Sequence, residues 1–193
     1  MSAVRASDPD LRPGAPARAG RSVVLVGMMG SGKSSIGIKL ARALDLPFRD
    51  ADREIEKAAG TTIANIFSEV GEAAFRQSER QVIRRLLMGE QQVLALGGGA
   101  FMDAGTRALV RERAVSVWLR AGIDELVRRT GRRSDRPLLH GVDPRARLEA
   151  LLSERGPVYA QADLVVDSDL GSIRSVVERI VLGLGDLSPG WQP

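Results

Sequence analysis

Short apolar runs alternate along this chain with longer stretches whose apolar residues recur every three or four positions. "SVVLVG" at 22–27, "QVLALGGG" at 92–99, "AVSVWL" at 114–119 and "DLVVD" at 163–167 have the length and β-branched content of buried strands, and "LPFRDAD" at 46–52 supplies another short one. Between them the spacing turns helical: Ile36, Leu40 and Leu44 in "SSIGIKLARALDL" share one face. Further helical patterns cover 52–59, 62–70, 72–88, 106–113, 124–130, 143–155 and 172–182. Gly60 and Gly71 stand where a glycine closes a helix, and Asp143 before Pro144 has the residues of a helix start. Strands alternating with helices predict an α/β, three-layer fold, with a central five-stranded parallel sheet covered by helices on both faces.

Composition narrows the picture. At 193 residues the chain suits one domain with a sizeable core. Residues 1–20 are rich in Pro, Gly, Ala and Arg and read as a flexible tail, residues 21–184 as the domain, and residues 185–193 as a loose end. The absence of a long apolar run argues against a transmembrane helix, and the absence of Cys excludes disulfides and thiolate chemistry. A cytoplasmic monomer is the expectation. The net charge of +4 comes almost wholly from Arg, since Lys33, Lys39 and Lys57 are the only lysines. With aromatics at 4% and no binding motif, this charge points to a small anion rather than to nucleic acid.

"GMMGSGKS", Gly27 to Ser34, names the anion, because it is a P-loop pattern placed between a predicted strand and a predicted helix. Gly30, Ser31, Gly32, Lys33, Ser34 and Ser35 would surround nucleotide phosphates, with backbone N–H groups and a helix N-terminus as donors. Lys33 would reach the β- and γ-phosphates, and the Ser34 hydroxyl would ligate Mg²⁺.

Asp50 and Asp52 follow the second strand, on the sheet rim that also carries the P-loop. A solvated turn would account for them, but so would a division of labour in which one holds hydrated magnesium and the other takes a proton from an attacking hydroxyl. Gly97, Gly98 and Gly99 fit either a flexible strand exit or a close backbone approach to a ligand. Arg76 could be an exposed helical ion pair, and Arg155, before "GP", a cation at a helix end. "RRTGRRSDRPLL" is either a solvated charge run or, after a P-loop, a mobile lid at about 130–142 that carries Arg136 to the transferring phosphate. His140, the only histidine, is incidental in both readings.

In their order, "GMMGSGKS", "DAD", "FR", "GGG", "RPLL" and "ERGPVY" resemble the shikimate kinase family, from about Arg21 to about Leu182. The resemblance implies a P-loop kinase fold and transfer of the ATP γ-phosphate to the 3-hydroxyl of shikimate, giving shikimate 3-phosphate and ADP in the chorismate route to aromatic amino acids. It also implies that Asp52 contacts the ring hydroxyls as candidate base and that Asp50 belongs to the magnesium shell. By the same resemblance, Arg76 and Arg155 hold the substrate carboxylate, Gly97 to Gly99 approach the substrate through their backbone, Arg136 faces the reacting phosphate and Arg129 lies near adenine. A substrate-binding helical segment would span about 52–88. Arg49 stands where the family commonly has an apolar residue, and "VVDSDLGSIRS" lacks the proline often found in its adenine loop. A P-loop alone also suits a gluconate or nucleoside monophosphate kinase, or a regulator that binds ATP without turnover.

Overall fold

The computed structural model describes residues 20–131 and 143–187. In chain order the elements are β1 (Ser22–Val26), α1 (Lys33–Ala43), β2 (Phe48–Asp50), α2 (Ala51–Ala59), α3 (Ile63–Leu87), β3 (Val93–Ala95), a single 3-10 turn (Ala100–Met102), α4 (Ala104–Arg113), β4 (Ala114–Arg120), α5 (Ile123–Thr130), α6 (Pro144–Tyr159), β5 (Leu164–Asp167) and α7 (Ile173–Leu187). The strands form one five-stranded sheet in the order β2-β3-β1-β4-β5, all pairs parallel. The expected α/β architecture is therefore observed, strand for strand.

Successive residues of β1 point to opposite faces and feed two different cores. Val24 and Val26 join Leu94, Ile83, Val110, Leu126, Leu148 and Tyr159 on one side. Val23 and Leu25 join Ile36, Leu40, Val117, Val176 and Ile180 under α1 and α7 on the other. From central β1 the chain runs to the edge strand β2, returns to β3 and then crosses to β4 and β5 on the other side, so the loops leaving β1 and β3 meet at a switch point where a crevice opens beyond the strand ends.

A third, smaller core of Ile55, Ile66, Phe75 and Val82 ties α2 to α3. Gly60 ends α2 in the left-handed region (φ 67°), as its position predicts. Gly71 breaks α3 with φ 78° and ψ 173°, so the element is two helices meeting at a kink, and the second carries Arg76.

Two ends differ from the sequence reading. Helix α6 does not stop at Arg155 but continues through Gly156 and Pro157 to Tyr159. A proline inside a helix forfeits one hydrogen bond, yet the fully buried Tyr159 ring holds the last turn against the sheet. Arg155 is thus not a helix-terminal cation. Helix α7 continues to Leu187, three residues into the span expected to be tail, because Leu184 and Leu187 still face the second core.

The kink at Gly71 uses backbone angles open essentially to glycine alone. Gly71→Ala should therefore cost about 1–3 kcal/mol in denaturant unfolding, although nothing lies within 4 Å of the added methyl. Val70→Ala, at an exposed neighbour, should stay within about 0.5 kcal/mol. Equal effects of the two would show that the kink is not constrained.

Candidate active site

The P-loop begins where β1 ends. Gly27 has φ 138°, and a Cβ there would stand 2.6 Å from the Leu119 carbonyl oxygen, so strand β4 leaves room only for hydrogen. Gly30 and Gly32 also have positive φ, and Gly32 caps α1 without contributing a side chain. No acidic residue stands in the first turn of α1, which leaves its positive end suited to an anion. Lys33 Nζ lies across the loop, donating to Gly27 O at 2.8 Å and Met28 O at 3.0 Å. Ser31 is buried within the loop and Ser35 is exposed on the first turn of the helix.

Strand β2 delivers the two acids to this loop. Asp50 is the N-cap of α2: its Oδ1 accepts from the Asp52 N–H at 3.2 Å while its Oδ2 accepts from Ser34 Oγ at 2.8 Å. Asp52 sits one step on, beside the glycine triplet, where a Cβ on Gly97 would come within 2.6 Å of its Oδ1. Burial pushes the Asp52 carboxyl up to about 6, the Asp50 charge adds to the rise, and Lys33 opposes it. Arg49, immediately before Asp50 on β2, turns outward to Glu54 at 3.5 Å.

The remaining glycines are backed by guanidinium groups. Arg76, on the second half of α3, donates to Glu79 at 2.8 Å and to Glu72 at 3.2 Å. Burial works against its charge, but the two carboxylates hold its pKa above the ordinary value. A Cβ on Gly99 would fall 2.8 Å from both Arg76 Nη atoms, and one on Gly98 would fall 3.3 Å from Arg155 Nη1. Asp52, Arg76 and Arg155, from α2, α3 and α6, therefore converge on three consecutive residues without side chains. Any Cβ in the triplet would intrude on a charged group.

Arg129 on α5 donates to Glu125, to Gly30 O at 3.2 Å and to Ser168 O at 3.1 Å, bridging the P-loop and the loop after β5. Its neighbour Arg128 bonds the same Glu125, and these hydrogen bonds lower the Glu125 carboxyl to about 2. Arg136 and His140, with the rest of the expected lid from 132 to 142, lie outside the described residues.

Two residues of this cluster were given no role in the sequence reading. Glu79 is almost fully buried against Arg76, and burial lifts its pKa more than Arg76 lowers it. The available signal was its place on the apolar stripe Phe75, Val82, Ile83, which a solvated ion pair would not occupy. Tyr159 donates its hydroxyl to Gly98 O, and nothing in its spacing announces that contact.

Comparison with known proteins gives the family. The family model for shikimate kinase matches residues 29–184. A shikimate kinase from Cereibacter sphaeroides is 52% identical over 164 residues, covering 85% of this chain and 82% of that protein.

This chain belongs to the shikimate kinase family.

A family member from Bradyrhizobium diazoefficiens is 57% identical over 148 residues, 77% of this chain and 72% of its own. The solved shikimate kinase from Acinetobacter baumannii, in complex with shikimate, superposes with a TM-score of 0.82 at 36% identity, covering 86% of this chain and 94% of that one. A gluconokinase from Sinorhizobium meliloti, at 21% identity and a TM-score of 0.60, shares the fold. As a shikimate kinase family member the protein is an ATP-dependent kinase, and among the described residues no helix is long and apolar enough to cross a membrane.

The raised pKa of Asp52 makes its charge a cost to the fold. An unfolded chain ionises this group near 3.8 whereas the native one holds its proton to about 6, so stability falls as pH rises through that window. Asp52→Asn should raise the unfolding free energy by about 1–3 kcal/mol at pH 7.5 and leave it nearly unchanged at pH 4. Denaturant titrations at the two pH values check this, and a destabilised variant at pH 7.5 would contradict it.

Proposed function

We propose that the protein transfers the γ-phosphoryl group of ATP to the 3-hydroxyl of shikimate, giving shikimate 3-phosphate and ADP, as a cytoplasmic monomer serving the chorismate route to aromatic amino acids. The observation that carries this reading is the convergence of Asp52, Arg76 and Arg155 on the glycine triplet. A small hydroxylated carboxylate needs cationic donors at one end and an acceptor at the other, and guanidinium groups offer the paired hydrogen bonds a carboxylate takes.

In this reading Arg76 and Arg155 bind the substrate carboxylate and the backbone of Gly97 to Gly99 approaches the ring. Held there, the ring presents its hydroxyls to Asp52. The 3-hydroxyl oxygen forms its bond to the γ-phosphorus as the bond from that phosphorus to the β,γ-bridging oxygen breaks, and the hydroxyl proton passes to the Asp52 carboxylate. Lys33 lies on the phosphate side, within reach of the β- and γ-phosphates once they occupy the loop. Arg136 would supply a further cation from the lid, and Arg129 would lie beside adenine. Closing the lid would exclude water from the transfer.

Mg²⁺ fits this site by the chemistry of its donors: a hydroxyl, Ser34 Oγ, and a carboxylate, Asp50, stand 2.8 Å apart beside the P-loop. Ser34 would hold the ion directly and Asp50 through water. When bound, the ion neutralises charge on the β- and γ-phosphate oxygens.

Purified protein should release ADP from Mg²⁺-ATP only when shikimate is present, and Asp52→Asn should lower kcat by about 10²–10⁴-fold while the ATP KM changes little. A variant with near wild-type turnover would remove Asp52 from the chemistry. Because Asp52 must be ionised to accept a proton, kcat/KM for shikimate should climb as pH rises through about 6 and then level off. A flat profile from pH 5 to 8 would count against it. Arg76→Ala should raise the shikimate KM by about 10–100-fold with the ATP KM within about twofold, since charge-assisted contacts to one substrate are lost. Equal loss for both substrates would place Arg76 in the fold rather than in the clamp.

A further inference from the structure

Tyr159 is the only tyrosine of the chain and is completely buried at the end of α6. Its ring lies against Trp118 of β4, with centroids 5.9 Å apart, and its hydroxyl donates to the carbonyl oxygen of Gly98. One helical turn earlier stands Arg155, and a Cβ on Gly98 would lie 3.3 Å from its Nη1 and 3.8 Å from the Tyr159 hydroxyl, so both side chains border the same glycine. Arg155 Nε is buried with no partner in the structure. Burial raises the Tyr159 pKa, which keeps the phenol a donor across the physiological range.

The geometry of the peptide gives this hydrogen bond a consequence. The Gly98–Gly99 bond is trans, so the Gly98 carbonyl and the Gly99 N–H point in opposite directions across one plane. A carbonyl fixed on Tyr159 aims that N–H away from α6. Among the described residues neither the Gly98 nor the Gly99 N–H donates to another group, and both glycines lack the side chain that would otherwise restrain the turn. Such a flexible turn needs an external anchor if its donors are to meet a ligand in one orientation. Tyr159 is that anchor, and the Arg155 guanidinium borders the same Gly98.

We propose that Tyr159 is a positioning residue for the acceptor: its buried hydroxyl sets the Gly98–Gly99 peptide beside the Arg155 guanidinium, so that backbone donor and cation reach the same small anion. This rests on the shikimate reading given above. Tyr159 touches no substrate itself. It also explains why α6 runs on past Pro157, since a helix ending at Arg155 could not carry the phenol beneath the turn.

Tyr159→Phe keeps the buried ring and removes only the hydroxyl, so kinetics in both substrates separate positioning from folding. The expected result is a shikimate KM raised about tenfold, with the ATP KM within about twofold and kcat within about threefold. A thermal shift alone, with the shikimate KM unchanged, would overturn the inference, as would an equal rise in both KM values. If the variant fails to fold, the wild-type chain decides: because there is a single tyrosine, biosynthetic 3-fluorotyrosine labels this site alone. Saturating shikimate should move its fluorine resonance and a non-hydrolysable ATP analogue should not; a resonance indifferent to shikimate would refute the positioning role. Wild-type protein that phosphorylates another acceptor but not shikimate would instead defeat the underlying reading, and the inference with it.

Discussion

One carboxylate joins the two halves of this site. Asp50 receives the Ser34 hydroxyl on one oxygen and the Asp52 N–H on the other, so the phosphate loop and the first turn of α2 are registered against each other through a single side chain. Part of the acceptor side inherits its position from that turn: Asp52 follows two residues on, and the small core of Ile55, Ile66, Phe75 and Val82 then ties α3 and its Arg76 to the same helix. A site that must bring two substrates within bonding distance cannot let its halves drift, and this contact holds them on a rigid sheet edge.

The glycine triplet is the complementary constraint. It clears the space into which Asp52, Arg76 and Arg155 project, and the resulting crowding of charge is unfavourable to the fold in the absence of compensation. Arg76 is compensated by Glu79 and Glu72, whereas Asp52 carries an elevated pKa because burial and Asp50 outweigh Lys33. The asymmetry is what chemistry requires, since a carboxylate stabilised as fully as Glu125 would be too weak a base to take a proton.

Much of this was legible in the sequence because it depends on local patterns. The strand and helix periodicities, the P-loop between them, the Asp143 cap and the breaks at Gly60 and Gly71 each follow from a few neighbouring residues. Arg76 and Arg155 were different: their spacing suited an exposed ion pair and a helix end, and only family resemblance marked them for the substrate. The end of α6 misled because Gly-Pro ordinarily stops a helix, and what overrides it is the burial of Tyr159, a contact with a residue 61 positions away. Glu79 shows the same limit from the other side: its place on the apolar stripe with Phe75, Val82 and Ile83 marked it as buried, but its pairing with Arg76 beside the glycines depended on the fold.

The most direct test of the whole arrangement is the identity of the phosphorylated product. Shikimate, gluconate and a nucleoside monophosphate would be offered together with Mg²⁺-ATP to the full-length protein, and the products followed by ³¹P NMR. A single new phosphomonoester, coupled to the proton at carbon 3 of shikimate, is the predicted result. Phosphorylation of either competitor in preference to shikimate, or ATP binding without any new phosphomonoester, would contradict the assignment of the clamp and of Asp52.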